Sequence, residues 1–142
     1  MVLVYSYLND EKDVIESIVG SFDQDIQQKL INKIVASIEL FCQNMNLDGK
    51  NSKNATGPIC YFLISVPNSK ELLRIFFAYQ KGEFVLLTSY LVKPKHYSKK
   101  QEIKKVEKDY DKQISFSKKI YDDFISKTYK YDYYDITDRF KS

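Results

Sequence analysis

The middle of the chain alternates short apolar runs with turn residues. Three runs follow one another, and each is rich in β-branched and aromatic residues. They cover residues 59–66, 72–79 and 83–91, with turn residues at 67–69 and 81–82. Such residues favour extended backbone, and the short Pro, Asn, Ser or Gly breaks favour tight turns. The pattern predicts a three-stranded antiparallel meander.

The residues before the meander predict one strand and two helices. Residues 2–8 predict a short strand, and Asp10 predicts the N-cap of a helix ending near Val19. Asp23 predicts the cap of a longer helix to about Asn46. Its apolar residues recur every three to four positions, so one stripe faces a core: Ile26, Leu30, Ile34, Ile38, Phe41 and Met45. Two helices on one face of a small sheet predict an α+β fold.

Two polar regions are harder to assign. Residues 47–57 predict a loop. The C-terminal third predicts a basic helix from about Lys99 to Lys127, either continuous or broken at residues 115–117. The Tyr-rich tail at residues 129–134 is too aromatic for ordinary disorder, so it is expected to pack on the domain or on a partner.

Composition narrows the class of protein. The 142 residues, 44% of them hydrophobic, fit a single domain over residues 1–142. We expect a cytoplasmic protein, because the chain shows neither a long apolar span nor the pattern of a signal peptide. Cys42 and Cys60 lie within apolar patterns, so they are expected to be reduced packing residues. Nothing in the sequence predicts a metal site or a cofactor.

The net charge of +3 is unevenly distributed. Residues 93–119 contain ten lysines and four acidic residues, whereas the rest of the chain is net negative. A one-sided basic segment attracts polyanions, of which nucleic acid is the first candidate. A solvated basic helix face without a ligand explains the same composition.

A single arginine interrupts the middle strand of the predicted meander. Arg74 lies among Leu and Phe residues, and Arg139 is the only other arginine of the chain. Burying a guanidinium is costly unless it is paired. Arg74 therefore either pairs with a carboxylate such as Glu71 or binds an anion.

The order of the predicted elements, one strand, two helices, a three-stranded meander and then a basic loop, resembles that of a known family. The strand LRIFFAY at residues 73–79 is followed by a Lys-Gly turn, the strand FVLLTSY at residues 84–90 and the basic segment KPKHYSKK at residues 93–100. This order resembles the RelE/HigB-like toxins of type II toxin–antitoxin systems, in particular their phage-derived HigB-type branch. The resemblance covers residues 1–108 as a RelE-like core and leaves residues 109–142 as a helical, Tyr-rich extension.

The resemblance implies a ribosome-dependent endoribonuclease that cuts mRNA and is neutralised by a cognate antitoxin, expected to be a helix-turn-helix protein. In such a reaction the RNA 2′-hydroxyl attacks the adjacent phosphate, so the protein needs to position the nucleotide, stabilise charge and move protons. The candidate catalytic residues are Arg74, Lys93, Lys95, His96 and Tyr97. The candidate RNA-binding residues are Lys50, Lys53, Tyr90, Lys99 and Lys100.

One departure from the family leaves other functions open. The positions on the first meander strand where relatives carry charged side chains align with the apolar Phe62 and Ile64. The alternatives are a ParE-like inhibitor that binds a protein such as DNA gyrase, and a catalytically silent phage or mobile-element interaction protein.

Overall fold

The computed structural model describes residues 2–94, 99–127 and 133–140. The strands are β1 (Leu3–Tyr7), β2 (Ser52–Thr56), β3 (Ile59–Ser65), β4 (Glu71–Gln80), β5 (Phe84–Pro94) and β6 (Tyr133–Asp135). The helices are α1 (Val14–Gly20), α2 (Gln24–Asn44) and α3 (Lys100–Ser126), and a short 3-10 helix covers Thr137–Phe140. The predicted α+β class is confirmed.

One sheet contains all six strands, in the order β2-β3-β4-β5-β1-β6. The predicted meander forms its centre, because β3, β4 and β5 pair antiparallel in sequence order. β1 is parallel to β5, and β6 is antiparallel to β1. The sheet is therefore mostly antiparallel, with one parallel pair where the N-terminal strand inserts.

Helices cover both faces of this sheet. The predicted stripe of α2 buries Leu30, Ile34, Ile38 and Phe41 against one face, and α1 joins the same core. Phe41 packs edge-on against the stacked rings of Phe62 and Phe77. α3 packs on the opposite face, where Ile120 contacts Phe84 and Leu86. Each such buried side chain contributes about 1.5–3 kcal/mol to folding.

Two local predictions were wrong. Asp13, rather than Asp10, caps α1: its carboxylate accepts the Glu16 N–H, and Glu16 reciprocates in a capping box. Asp10 instead has a positive φ in a tight turn. Residues 47–57 are not all loop, since they include β2, a polar strand that alternation of apolar residues cannot reveal.

α3 is continuous through residues 115–117. Ser117 is fully buried in the apolar stripe, and its hydroxyl is hydrogen-bonded to Thr88 (2.7 Å) and Ser89 (3.0 Å) of β5. The polar residue is therefore satisfied within the core, so the helix has no reason to break there.

Residues 133–140 pack on the domain, whereas residues 129–132 of the predicted Tyr-rich tail lie outside the described residues. Besides the β6–β1 pairing, the Ile136 N–H donates to the Val4 carbonyl (2.8 Å), and the Val4 N–H donates to the Thr137 hydroxyl (2.9 Å). Arg139 forms an ion pair with the buried Asp13, with Nη2 and Oδ2 2.6 Å apart. These contacts join residues 136–139 to β1 and to the N-terminus of α1.

We expect Arg139→Ala to lower the free energy of unfolding by about 1–3 kcal/mol, because it leaves the Asp13 carboxylate buried without its cation. Urea unfolding followed by circular dichroism measures the change. Lys29→Ala, on an exposed position of α2, is the matched control. Equal stability of the two variants would show that the ion pair contributes nothing.

Candidate functional site

Side chains from four adjacent strands and α3 converge around Arg74. The group consists of Lys53 of β2, Tyr61 of β3, Arg74 of β4, Lys93 of β5 and Tyr110 of α3, and is called the Arg74 cluster below. It lies on the sheet face that α3 covers, opposite the α1–α2 core. Two of its members, Tyr61 and Tyr110, were not among the sequence-predicted site residues.

The guanidinium of Arg74 lies against two aromatic rings. Its Cζ is 5.0 Å from the Tyr61 ring centroid and 4.9 Å from that of Tyr110. The rings themselves are nearly perpendicular, at 85°. Two cation–π contacts restrict the orientation of the half-buried guanidinium and favour its charge, each by about 0.5–2 kcal/mol. The arrangement pre-positions a planar, bidentate donor.

Arg74 has no carboxylate partner in the part of the chain that the structure describes. The only ion pairs within 4.0 Å there are those of Arg139 with Asp13 and Glu16. The buried Arg74 Nε–H donates to no hydrogen-bond acceptor among the described residues. The structure therefore does not show the ion pair with Glu71 that was one of the two explanations for an arginine within this strand.

Lys93 adds a second positive charge beside Arg74. Residues 72 and 93 pair across β4 and β5, so Lys93 is a diagonal neighbour of Arg74. Partial burial lowers the pKa of Lys93, and repulsion from Arg74 and from Lys53 lowers it further. An anion bound among these like charges would reduce their mutual repulsion.

A β-bulge gives Lys93 this orientation. In the β4–β5 ladder, Phe76 pairs with Ser89 but Phe77 pairs with Leu87, so Thr88 is an extra residue. Before the bulge, odd-numbered residues such as Val85 and Leu87 face the α1–α2 core; after it, Leu91 packs on the α3 side. The bulge therefore exchanges the faces to which odd- and even-numbered side chains of β5 point. Lys93, two residues after Leu91, lies on the same face as Leu91 and Arg74.

A tight turn before β2 positions Lys53. The Asp48 carboxylate accepts the N–H groups of Lys50 (2.8 Å), Asn51 (2.6 Å) and Ser52 (2.9 Å). These bonds hold the pKa of Asp48 down to about 2. β2 then pairs Lys53 with Tyr61, which places the lysine on the face that carries Arg74.

Tyr110 reaches the cluster from the middle of α3. Burial raises its pKa above the ordinary tyrosine value, the neighbouring Tyr61 and Asp111 act in the same direction, and Arg74 opposes them. Tyr110 is therefore neutral near pH 7, so it can donate a hydrogen bond or offer a ring face, but not a phenolate base. Tyr110 lies in the apolar stripe of α3, so its sequence position predicts a packing residue and not a site residue.

Among the described residues, the other candidates lie outside this cluster. Tyr90 packs on the opposite sheet face, against the α1–α2 core. Lys99 and Lys100 are exposed at the start of α3, about 15 Å along the helix axis from Tyr110. Lys50 is exposed in the turn before β2. Lys95, His96 and Tyr97 lie outside the described residues.

The apolar positions that separated this chain from the resembling family do not face the site. Phe62 and Ile64 are buried in the α1–α2 core. On β3, the residues on the Arg74 face are Tyr61 and Leu63, since Leu63 pairs directly with Arg74.

Searches against models of protein families and against curated proteins find no match. Among the described residues, no helix is long and apolar enough to cross a membrane. Within the same residues, no cluster of three His, Cys, Asp or Glu side chains is arranged to hold a metal ion. The site is therefore interpreted from its own geometry: an oriented guanidinium, two lysines and two tyrosines on one sheet face.

We expect Arg74→Met to change the free energy of unfolding by less than about 1 kcal/mol. The substitution removes two cation–π contacts, but it also removes the repulsion of Lys93 and the cost of burying an Nε–H without a hydrogen bond. The same variant should bind a labelled single-stranded RNA, used as a polyanion, at least about tenfold more weakly. Urea unfolding and fluorescence anisotropy measure the two effects, with Lys29→Met as control. A large loss of stability with unchanged binding would make Arg74 purely structural.

The lowered pKa of Lys93 predicts a pH effect with a defined sign. Binding of the same RNA should weaken as the pH rises toward, but not yet to, the ordinary lysine range, because Lys93 loses its proton early. Between the lowered pKa of Lys93 in the folded protein and its ordinary pKa in the unfolded chain, the unfolded chain binds more protons at Lys93 than the folded protein does. The contribution of Lys93 to the free energy of unfolding should therefore rise with pH in this interval. Lys93→Arg should extend binding to higher pH. Coincident binding profiles of the two proteins would contradict the assignment.

Proposed function

We propose that the chain is a RelE/HigB-like toxin that cleaves mRNA on the ribosome and thereby inhibits translation. The observation that carries the proposal is the Arg74 cluster: an arginine oriented by Tyr61 and Tyr110 beside Lys93 and Lys53. The proposal combines this chemistry with the order of motifs that resembles the family. A cytoplasmic location and a cognate antitoxin, expected to be a helix-turn-helix protein, are part of it.

The cluster supplies what cleavage by a 2′-hydroxyl requires. Arg74 offers two N–H donors to non-bridging oxygens of the scissile phosphate, and Lys93 adds positive field to the charge that develops there. Tyr61 and Tyr110 hold the guanidinium between their rings, which keeps its N–H donors oriented toward the phosphate. The nucleophile comes from the RNA, so the protein acts by positioning and electrostatic stabilisation.

The remaining basic residues fit the path of the RNA strand. Lys53 of β2 lies in the cluster, and Lys50 lies in the turn that precedes β2. Lys99 is the N-cap and Lys100 the first residue of α3, where the free N–H groups also favour phosphate. In this proposal Lys95, His96 and Tyr97 keep their predicted catalytic role, and one of them supplies the proton transfer.

Induced expression of wild-type and Arg74→Ala protein tests the proposal. We expect growth arrest with in-frame cuts in translated messages for the wild type, found by mapping mRNA 5′ ends. Both should disappear in Arg74→Ala and fall at least about tenfold in Arg74→Lys, which keeps the charge but loses the bidentate donor. Lys29→Ala, with equal expression, should remain toxic.

Two outcomes would replace the proposal. DNA damage with continuing translation would favour the ParE-like inhibitor of a protein such as DNA gyrase. Normal growth with intact messages at high expression would favour a catalytically silent interaction protein. Circular dichroism of the purified variants separates either result from simple misfolding.

A further inference from the structure

We propose that the free edge of β5 is a docking site for an acidic peptide segment of a partner protein, which binds there as an added β-strand. The site is a groove of about 590 Å³ beside the C-terminal half of β5, called the β5-edge groove below. This inference goes beyond the proposed function and does not rest on it.

β1 leaves most of this edge unpaired. It pairs only with residues 84–87 of the eleven-residue strand β5, and no described strand pairs with residues 88–92 on that side. The chain turns away through Asp10 and Glu11, both with positive φ, and Asn9 and Lys12 exchange two backbone hydrogen bonds there. Backbone groups of a strand alternate between its two sides, so the uncovered edge presents N–H and C=O groups that need partners.

The groove follows this edge. Five consecutive residues of β5, Thr88–Val92, line it. Neighbouring side chains of a strand point to opposite faces, so a groove that touches five in succession runs along the strand's edge rather than over a face. Its space therefore lies in the plane of the sheet, where a further strand would continue the ladder.

The walls of the groove come from both helical layers. Val14 and Ser17 of α1 lie on one side, and Gln113 and Phe116 of α3 lie on the other. Phe116 is 42% exposed, and its ring packs edge-on against Tyr7 at the end of β1. A peptide strand between these walls would bury apolar side chains alternately toward Val14 and toward Phe116.

The charges along the groove select the partner. Its described lining contains two ionisable side chains with full charges at pH 7, Lys12 and Lys112, one at each wall, and both are exposed. No acidic residue is among the lining residues that the structure describes. The complementary ligand is an extended segment in which acidic residues alternate with β-branched or aromatic ones.

Selection from a displayed library of random short peptides, with the full-length protein as bait, tests the inference. We expect enrichment of alternating acidic and apolar sequences. The tightest of them, made synthetically, should lose affinity at least about tenfold on Lys12→Glu/Lys112→Glu. The control pair Lys29→Glu/Lys70→Glu makes the same change of net charge elsewhere and should leave the affinity within about twofold.

Amide hydrogen exchange separates strand addition from a surface charge contact. The bound peptide should slow exchange in residues 88–92, and N-methylation of its backbone should abolish binding. Enriched peptides without acidic residues, or with equal sensitivity to both charge-reversed pairs, would overturn the inference. Sedimentation showing a dimer that protects the same residues without any peptide would overturn it in favour of a second copy of the chain.

Discussion

The burial of β4 on both faces is the constraint on which the rest of the structure depends. Leu73, Ile75 and Phe77 face the α1–α2 core, whereas Phe76 and Ala78 face α3, and all five are fully buried. Arg74 is the only charged residue in the interior of this strand. Its guanidinium is held beneath α3, where Tyr61 and Tyr110 replace part of the water that a surface arginine would have.

The positive charges of the Arg74 cluster repel one another, so the cluster lowers the stability of the fold and attracts an anion. Lys93 is repelled by both Arg74 and Lys53, and no described carboxylate neutralises Arg74. The aromatic core on the other face, with Phe41, Phe62 and Phe77, supplies the stability that keeps these charges together. A phosphate placed among them would remove the repulsion, which is why such a cluster is interpreted as an anion site rather than as a structural element.

β5 connects the two surfaces to which we assign a function. Its bulge at Thr88 turns Lys93 toward Arg74, and Ser117 of α3 supports that bulge through hydrogen bonds to Thr88 and Ser89. The same stretch of strand lies beyond the reach of β1 and forms the floor of the β5-edge groove. A strand bound at this edge would therefore lie next to the residues that orient Lys93.

The sequence by itself determined the elements whose pattern is local: the α2 stripe, the three meander strands and the unusual position of Arg74. It also predicted a basic helix after the meander, but not whether that helix continues through residues 115–117. Hydrophobic periodicity is set by neighbouring residues, so it can be recognised without the fold. Only the tertiary structure decided that residues 52–56 form a strand, that Tyr90 faces away from Arg74, and that Tyr61 and Tyr110 enclose it. These features depend on register, on one bulge and on a helix packed from a distant part of the chain, and no local pattern encodes such pairings.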